Sequence, residues 1–293
     1  MGDPGAAAAG VAGAERELSV HLRETAGAAA LEVGGLLRSR FGARAAQAKA
    51  DSHDLVTEVD RLAEDAIREL LLREFPGSSV WGEEAGLVGG EAELTWLVDP
   101  IDGTNNFAAG VPFFCVSIAA LAGDRLLAGV IYDPLRRELF AADLTGATRD
   151  GTLLESGGAG CDADAVLVTD FPGHRRSALA GGGRPDLERF GELVESFQTV
   201  RRLGSGALAL AYVAAGRVDV TFGTGAHPWD VAAGALLVRQ AGGCYRAFPG
   251  EHAGAPWRAR TYAAHVAPFD FEGSSLAELA GLDLADPDGE RFV

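Results

Sequence analysis

Asp99 and Asp102 close the apolar run Trp96-Leu97-Val98 in the stretch Trp96-Leu97-Val98-Asp99-Pro100-Ile101-Asp102-Gly103-Thr104-Asn105-Asn106-Phe107. Such a run is what a buried strand shows. Proline cannot donate a ladder hydrogen bond, so the sheet is expected to stop at Asp99-Pro100. Gly103 supplies backbone freedom, and Thr104-Asn105-Asn106 reads as a turn or the start of a helix. Two carboxylates at a strand end, followed by bare amide groups, suit a divalent metal beside a phosphate. An isolated D-P-x-D more often only caps a turn, so the decision rests on acids elsewhere.

Three such acids are Asp60, Glu83 and Asp230. Each has a plain reading by itself. Thr57 and Asp60 resemble an acidic capping box, with Asp60 in the first turn of a helix. Glu83-Glu84 would ordinarily be a solvated pair, and Asp230 an N-cap. Taken with Asp99 and Asp102, however, all five are expected at junctions between extended segments and helices or turns, which layered α/β structures gather at one sheet edge. Each like-charge pair about 4 Å apart costs on the order of 4 kcal/mol at an effective dielectric of 20. Lys49 and Arg61, the nearest basic residues in sequence, are too few to balance five acids. Divalent cations that prefer oxygen would remove the penalty, and Mg²⁺ is the natural choice.

The elements that must position these acids follow from hydrophobic spacing. Residues 15–41 are expected to form a helix stopped by Gly42, after a disordered tail over residues 1–14, followed by a loop to His53. An extended 54–60 segment then leads into a helix reaching Glu74. Strands are expected at 80–81, 113–122, 127–132, 138–142, 165–169, 199–203, 218–222 and 261–264, and helices at 186–197, 205–215, 230–241 and 274–279. Residues 15–293 read as a single domain, an α+β half over about 15–155 and an α/β half over about 160–293. The loop carrying Arg175, Arg176 and Arg184 reads as a solvated loop.

The 293 residues carry a formal net charge of −17, which argues against nucleic acid or an anionic membrane as partner. It is equally awkward for a phosphorylated substrate unless bound cations reverse the local sign. No run of about 20 apolar residues and no signal-peptide pattern is found, and Cys115, Cys161 and Cys244 form no C-x-x-C pair, so a cytoplasmic protein with reduced thiols is expected.

Asp54-Leu55-Val56-Thr57-Glu58-Val59-Asp60, Gly82-Glu83-Glu84, the Asp99 to Phe107 stretch and Trp229-Asp230-Val231-Ala232-Ala233-Gly234 resemble, in order, the inositol monophosphatase family. The resemblance implies a layered αβαβα sandwich, usually dimeric, that hydrolyses phosphomonoesters with two to three Mg²⁺ ions and is lithium-sensitive. It implies that Glu83, Asp99 and the Ile101 carbonyl hold a first metal, and Asp99, Asp102 and Asp230 a second. Thr104, hydrogen-bonded to Asp60, would join Glu83 in orienting a metal-activated water, while the Gly103 and Thr104 amides bind phosphate. Ser205 and Gly206 would line the substrate pocket, and His227 would be structural. Members acting on inositol phosphates commonly carry a glutamate seven residues before the late aspartate. Here that position is Gly223, which removes an acceptor for ring hydroxyls and is expected to open space beside the leaving group. The substrate is therefore expected to be a small alcohol, polyol or sugar phosphate. A nucleoside phosphate held by Arg175, Arg176, Arg201 and Arg202 is the enzymatic alternative. The alternative of another class is a regulatory protein that kept the fold, as some relatives interact with transcription machinery.

Overall fold

A computed structural model of the chain describes residues 4–42, 52–90, 92–173, 184–248 and 255–280. Helix α1 spans Pro4–Arg40 and α2 spans Ser52–Glu74. Between them, Lys49 lies outside the described residues, as do Arg175 and Arg176 of the later loop. The expected tail is helical from Pro4 onward, in keeping with its alanines, the strongest helix formers. The second departure matters more. Helix α2 begins at Ser52, so Asp60 sits in its interior and not at an extended-to-helix junction. β-Branched Val56, Thr57 and Val59 imitate a strand, but tertiary packing overrides that weak preference: Val59, Ala63, Ile67, Leu70 and Leu71 are buried along one face.

A first sheet of eight strands follows: β1 (Ser79–Gly82), β2 (Gly86–Val88), β3 (Leu94–Asp102), β4 (Cys115–Ala122), β5 (Arg125–Asp133), β6 (Glu138–Asp143), β7 (Gly146–Arg149) and β8 (Thr152–Leu153), in the order β2-β1-β3-β4-β5-β6-β7-β8. Only the β1–β3 pair is parallel. Helices α1 and α2 cover one face over an apolar layer that includes Leu22, Leu37, Ile67, Trp96 and Val98. The sheet does not stop at Asp99. β3 pairs Asp99 with Ser117 and, after an irregularity, Asp102 with Cys115. Pro100 and Ile101 occupy this bulge, where a missing N–H disturbs no ladder.

The short helix α3 (Thr104–Ala109) leaves the end of β3 through Gly103, whose φ of 96° is left-handed. A second sheet carries β9 (Val166–Thr169), β10 (Thr199–Arg201), β11 (Val220–Gly223), β12 (Cys244–Phe248) and β13 (Thr261–His265) in the order β10-β9-β11-β13-β12. Helices α5 (Gly206–Ala214) and α6 (Pro228–Gln240) are almost wholly apolar and form the middle layer, buried between the two sheets in one continuous core. Helices α4 (Arg184–Ser196) and α7 (Ser275–Ala280) pack together on the outer side. The layers are thus αβαβα, the expected sandwich. α6 lies so close to the first sheet that a Cβ at Gly129 would fall 2.8 Å from the Ala233 carbonyl oxygen, and this contact fixes the height of the α6 N-terminus. All three cysteines are free, Cys115 being buried. Among the described residues, no helix is long and apolar enough to cross a membrane.

Candidate active site

The bulge in β3 aims both aspartates toward the N-terminal ends of the middle-layer helices. Asp99, 2% exposed, turns its Oδ1 back to accept the Ile101 amide at 2.9 Å across Pro100. Asp102 is held by α5. Its Oδ2 accepts the Ser205 hydroxyl at 2.5 Å and the Ala207 amide at 2.7 Å, as a carboxylate at a helix N-terminus should. Ser205 is buried and its oxygen also accepts the Leu208 amide, so this residue caps α5 and fixes Asp102. Asp230 sits in the first turn of α6, its Oδ2 accepting the His227 amide at 2.7 Å. β4 ties that turn down, since the Ser117 hydroxyl donates to the Trp229 carbonyl at 2.9 Å.

Glu83 lies in the turn after β1, exposed and within hydrogen-bonding reach of Asp99. An aromatic stack links this turn to α6: Trp81 meets Trp229 edge-on at 5.7 Å, and His227 lies flat on Trp229 at 5.0 Å. His227 therefore has the structural place expected of it. Beneath the turn is a residue the sequence reading missed. Glu64, 1% exposed, accepts the Glu84 and Ala85 amides at 2.8 and 2.9 Å. It stands one helical turn after Asp60, and that i, i+4 spacing was the available signal. Glu64→Ala should leave two partly buried amides without their acceptor and lower stability by about 1–2 kcal/mol. Chemical denaturation would read the loss, and Mg²⁺ affinity should weaken with it because Glu83 loses its support.

The electrostatics follow from this convergence. Burial raises the Asp60 pKa from 3.8 to about 8, with Glu84, Glu83 and Glu64 adding to the shift. Burial first, then Glu83, Asp102 and Asp230, hold Asp99 well above the carboxylate range. Asp230 is raised by burial and by Asp102. For Asp102 burial outweighs its hydrogen bonds, and the net shift is also upward. All five predicted acids are therefore electrostatic neighbours, although Asp60 arrives from mid-helix. Among the described residues none of the five has an ion-pair partner: Arg61 pairs with Glu84 and Arg68 with Glu64.

The donor set is all hard oxygen and carries uncompensated negative charge, which fits Mg²⁺ and not a softer ion. Among the described residues, no three acidic, histidine or cysteine side chains close on one point as a finished cage would. Asp99, Asp102 and Asp230 each give one oxygen to neighbouring donors and keep the other. One expected contact is absent: the Thr104 hydroxyl donates to the Ile101 carbonyl at 3.0 Å and not to Asp60.

A cleft of about 710 Å³ opens from Asp102 and Asp230 and runs along the second sheet. Ser205 and Gly206 line it with Gly204 and Arg202, together with Asp170, Thr224, Arg260 and Tyr262, which sequence reasoning did not select. Gly223 does not open space, because the Tyr262 ring stands where its side chain would be. Of the proposed second-phosphate arginines, Arg201 hydrogen-bonds locally to the Val200 carbonyl, while Arg202 donates to the Asp170 carbonyl at the cleft wall.

A model of the inositol monophosphatase family matches residues 19–279. The chain is 43% identical over 206 residues to "Nus factor SuhB" of Pseudomonas aeruginosa, covering 69% of this chain and 75% of that protein. It is 39% identical over 228 residues to the inositol-1-monophosphatase of Synechocystis, covering 77% and 78%. Among solved structures, the inositol monophosphatase from Anabaena superposes with a TM-score of 0.72 at 34% identity, covering 85% of this chain and 91% of that one.

Proposed function

The chain belongs to the inositol monophosphatase family, and from that premise we propose that it is a Mg²⁺-dependent phosphomonoesterase. Its substrate is the phosphate of a small alcohol, polyol or sugar. The observation that carries this reading is the group of five neighbouring carboxylates without an ion-pair partner among the described residues, two of which, Asp102 and Asp230, line the cleft. Glu83, Asp99, the Ile101 carbonyl, Asp102 and Asp230 would hold two to three ions. When bound, the cation supplies charge neutralisation on the phosphoryl oxygens and activation of a water.

The chain's own groups do the rest. Glu83 is exposed in the turn after β1 and is the base that accepts a proton from the attacking water. Desolvation and the neighbouring Glu84, Asp102 and Glu64 carboxylates raise its pKa, which keeps Glu83 basic. The Thr104 hydroxyl spends its proton on the Ile101 carbonyl, so its oxygen can accept from that water and orient it. The amides of Gly103 and Thr104 face the phosphate. Asp102 and Asp230 line the cleft at the end where the ester bond sits.

The test is hydrolysis of a panel of phosphate esters that includes p-nitrophenyl phosphate, with Mg²⁺ and then with excess EDTA. Turnover that vanishes with EDTA and is inhibited by lithium is the expected result; undiminished turnover in EDTA defeats the reading. Relatives named Nus factor SuhB favour a second reading, a regulatory protein that keeps the fold. It would be supported by a stoichiometric partner in a pulldown, combined with no turnover of any ester. A homodimer belongs to the first reading, and sedimentation would show it.

A further inference from the structure

One wall of the cleft is built around a phenol. In the β11–β13 ladder, Gly223 stands directly opposite Tyr262. A Cβ at Gly223 would fall 2.8 Å from the Tyr262 hydroxyl oxygen, and one at Gly206 would fall 3.1 Å from it. Two glycines on separate elements thus leave a slot that the ring fills. Tyr245 stacks on its other side with centroids 5.6 Å apart and planes 12° apart, so the ring cannot swing away.

The Tyr262 residue is 3% exposed, and its hydroxyl has no hydrogen-bond partner among the described residues. It differs there from the Tyr245 hydroxyl, which is sealed from the surface. Burial and the nearby Asp170 carboxylate hold the phenol well above its ordinary pKa, so it remains a proton donor. Asp170 accepts the Thr224 amide at 3.2 Å through one oxygen and keeps acceptor capacity toward the cleft. Asp170 is exposed to the cleft and is ionised at neutral pH. A donor and an acceptor that line one cleft and feel each other's charge match neighbouring hydroxyls, each of which can accept from one group and donate to the other.

We propose that Tyr262 and Asp170 read the alcohol portion of the substrate, the phenol donating to and the carboxylate accepting from hydroxyls beside the ester carbon. The cleft thereby selects polyhydroxylated phosphates over hydroxyl-free ones of the same shape, and Tyr262 with Asp170 takes over the recognition that no side chain at Gly223 can supply. This rests on the phosphatase reading above.

The test compares glycerol 2-phosphate with isopropyl phosphate, which has the same carbon skeleton without hydroxyls, in wild type, Tyr262→Phe and Asp170→Asn. The wild-type preference in kcat/KM for the glycerol ester should fall about five- to tenfold in each variant, the worth of one hydrogen bond, with the loss in KM. Tyr262→Phe keeps the ring that fills the slot, so folding is preserved. An equal loss on both esters, a preference that survives both substitutions, or no preference in the wild type would overturn the proposal. Hydrolysis of p-nitrophenyl phosphate with Mg²⁺ in any of these cases shows that the phosphatase reading itself stands. No hydrolysis of any of the three esters would remove both.

Discussion

Asp102→Asn should lower Mg²⁺-dependent hydrolysis of p-nitrophenyl phosphate by about 10³-fold, the equivalent of roughly 4 kcal/mol of transition-state stabilisation. The cation-free variant should nonetheless melt no lower than the wild type. Both halves follow from how Asp102 is held. An asparagine is the same size, and its carbonyl oxygen can still accept from the Ser205 hydroxyl and the Ala207 amide, so the α5 cap survives. Removing the charge also relieves repulsion, because Asp102 raises the pKa of Asp99, Glu83 and Asp230. What is lost is a charged oxygen at the end of the cleft where the cation and the phosphate meet. Steady-state assays and thermal melting of the same preparation check the pair of results. A variant that is both inactive and unfolded would place Asp102 in the scaffold and not in the chemistry.

The second large effect is a reversal of pH dependence by Mg²⁺. The folded-state pKa of Asp60 is about 8 against an ordinary value of 3.8. The folded chain therefore holds a proton that the unfolded chain releases across that window. This contribution to stability is complete below about pH 4 and is lost as pH rises toward 8, with a size on the order of 5 kcal/mol. Asp99 and Asp230 shift in the same direction and add to it. Without a divalent cation, the melting temperature should accordingly fall between pH 6 and pH 8. With millimolar Mg²⁺ the fall should largely disappear, since an ion that binds only the folded state stabilises it most where the carboxylates are ionised. Melting curves at pH 6 and 8 with Mg²⁺ and with EDTA would show it. Parallel pH profiles in the two conditions would contradict it.

How legible this was in the sequence depends on how local the signal is. Trp96 to Asp102 could be read as a buried strand ending in paired acids because every cue lies within a few residues. The exception was Pro100, whose usual meaning as a strand end gave way to a bulge that only the Ser117 and Cys115 pairing reveals. Asp60 lies mid-helix and not at the expected junction. Val56, Thr57 and Val59 argued for an extended segment, and only packing of the α2 apolar face against the first sheet decides for helix. Glu64 looked like any charged residue on a helix, since nothing in sequence says that the Glu84 and Ala85 amides will come to rest on it. The strand Cys244–Phe248 escapes sequence reading because buried Tyr245 and Ala247 alternate with Cys244 and Phe248, which are apolar too, so the residue types show no period of two. Tyr262 was out of reach for a different reason. Its importance comes from register against Gly223 and from the approach of Gly206, contacts between three elements distant in the chain.

The central claim is that five acids from four elements, Asp99 and Asp102 both on β3, stand as electrostatic neighbours, and that a cation displaces the protons which their raised pKa values retain. Calorimetric titration of Mg²⁺ into the protein at pH 7, in buffers of different ionisation enthalpy, tests it most directly. The account predicts saturable binding with release of protons, and a smaller release in Asp99→Asn. Binding with no proton release, or no binding at all to the folded protein, would contradict it.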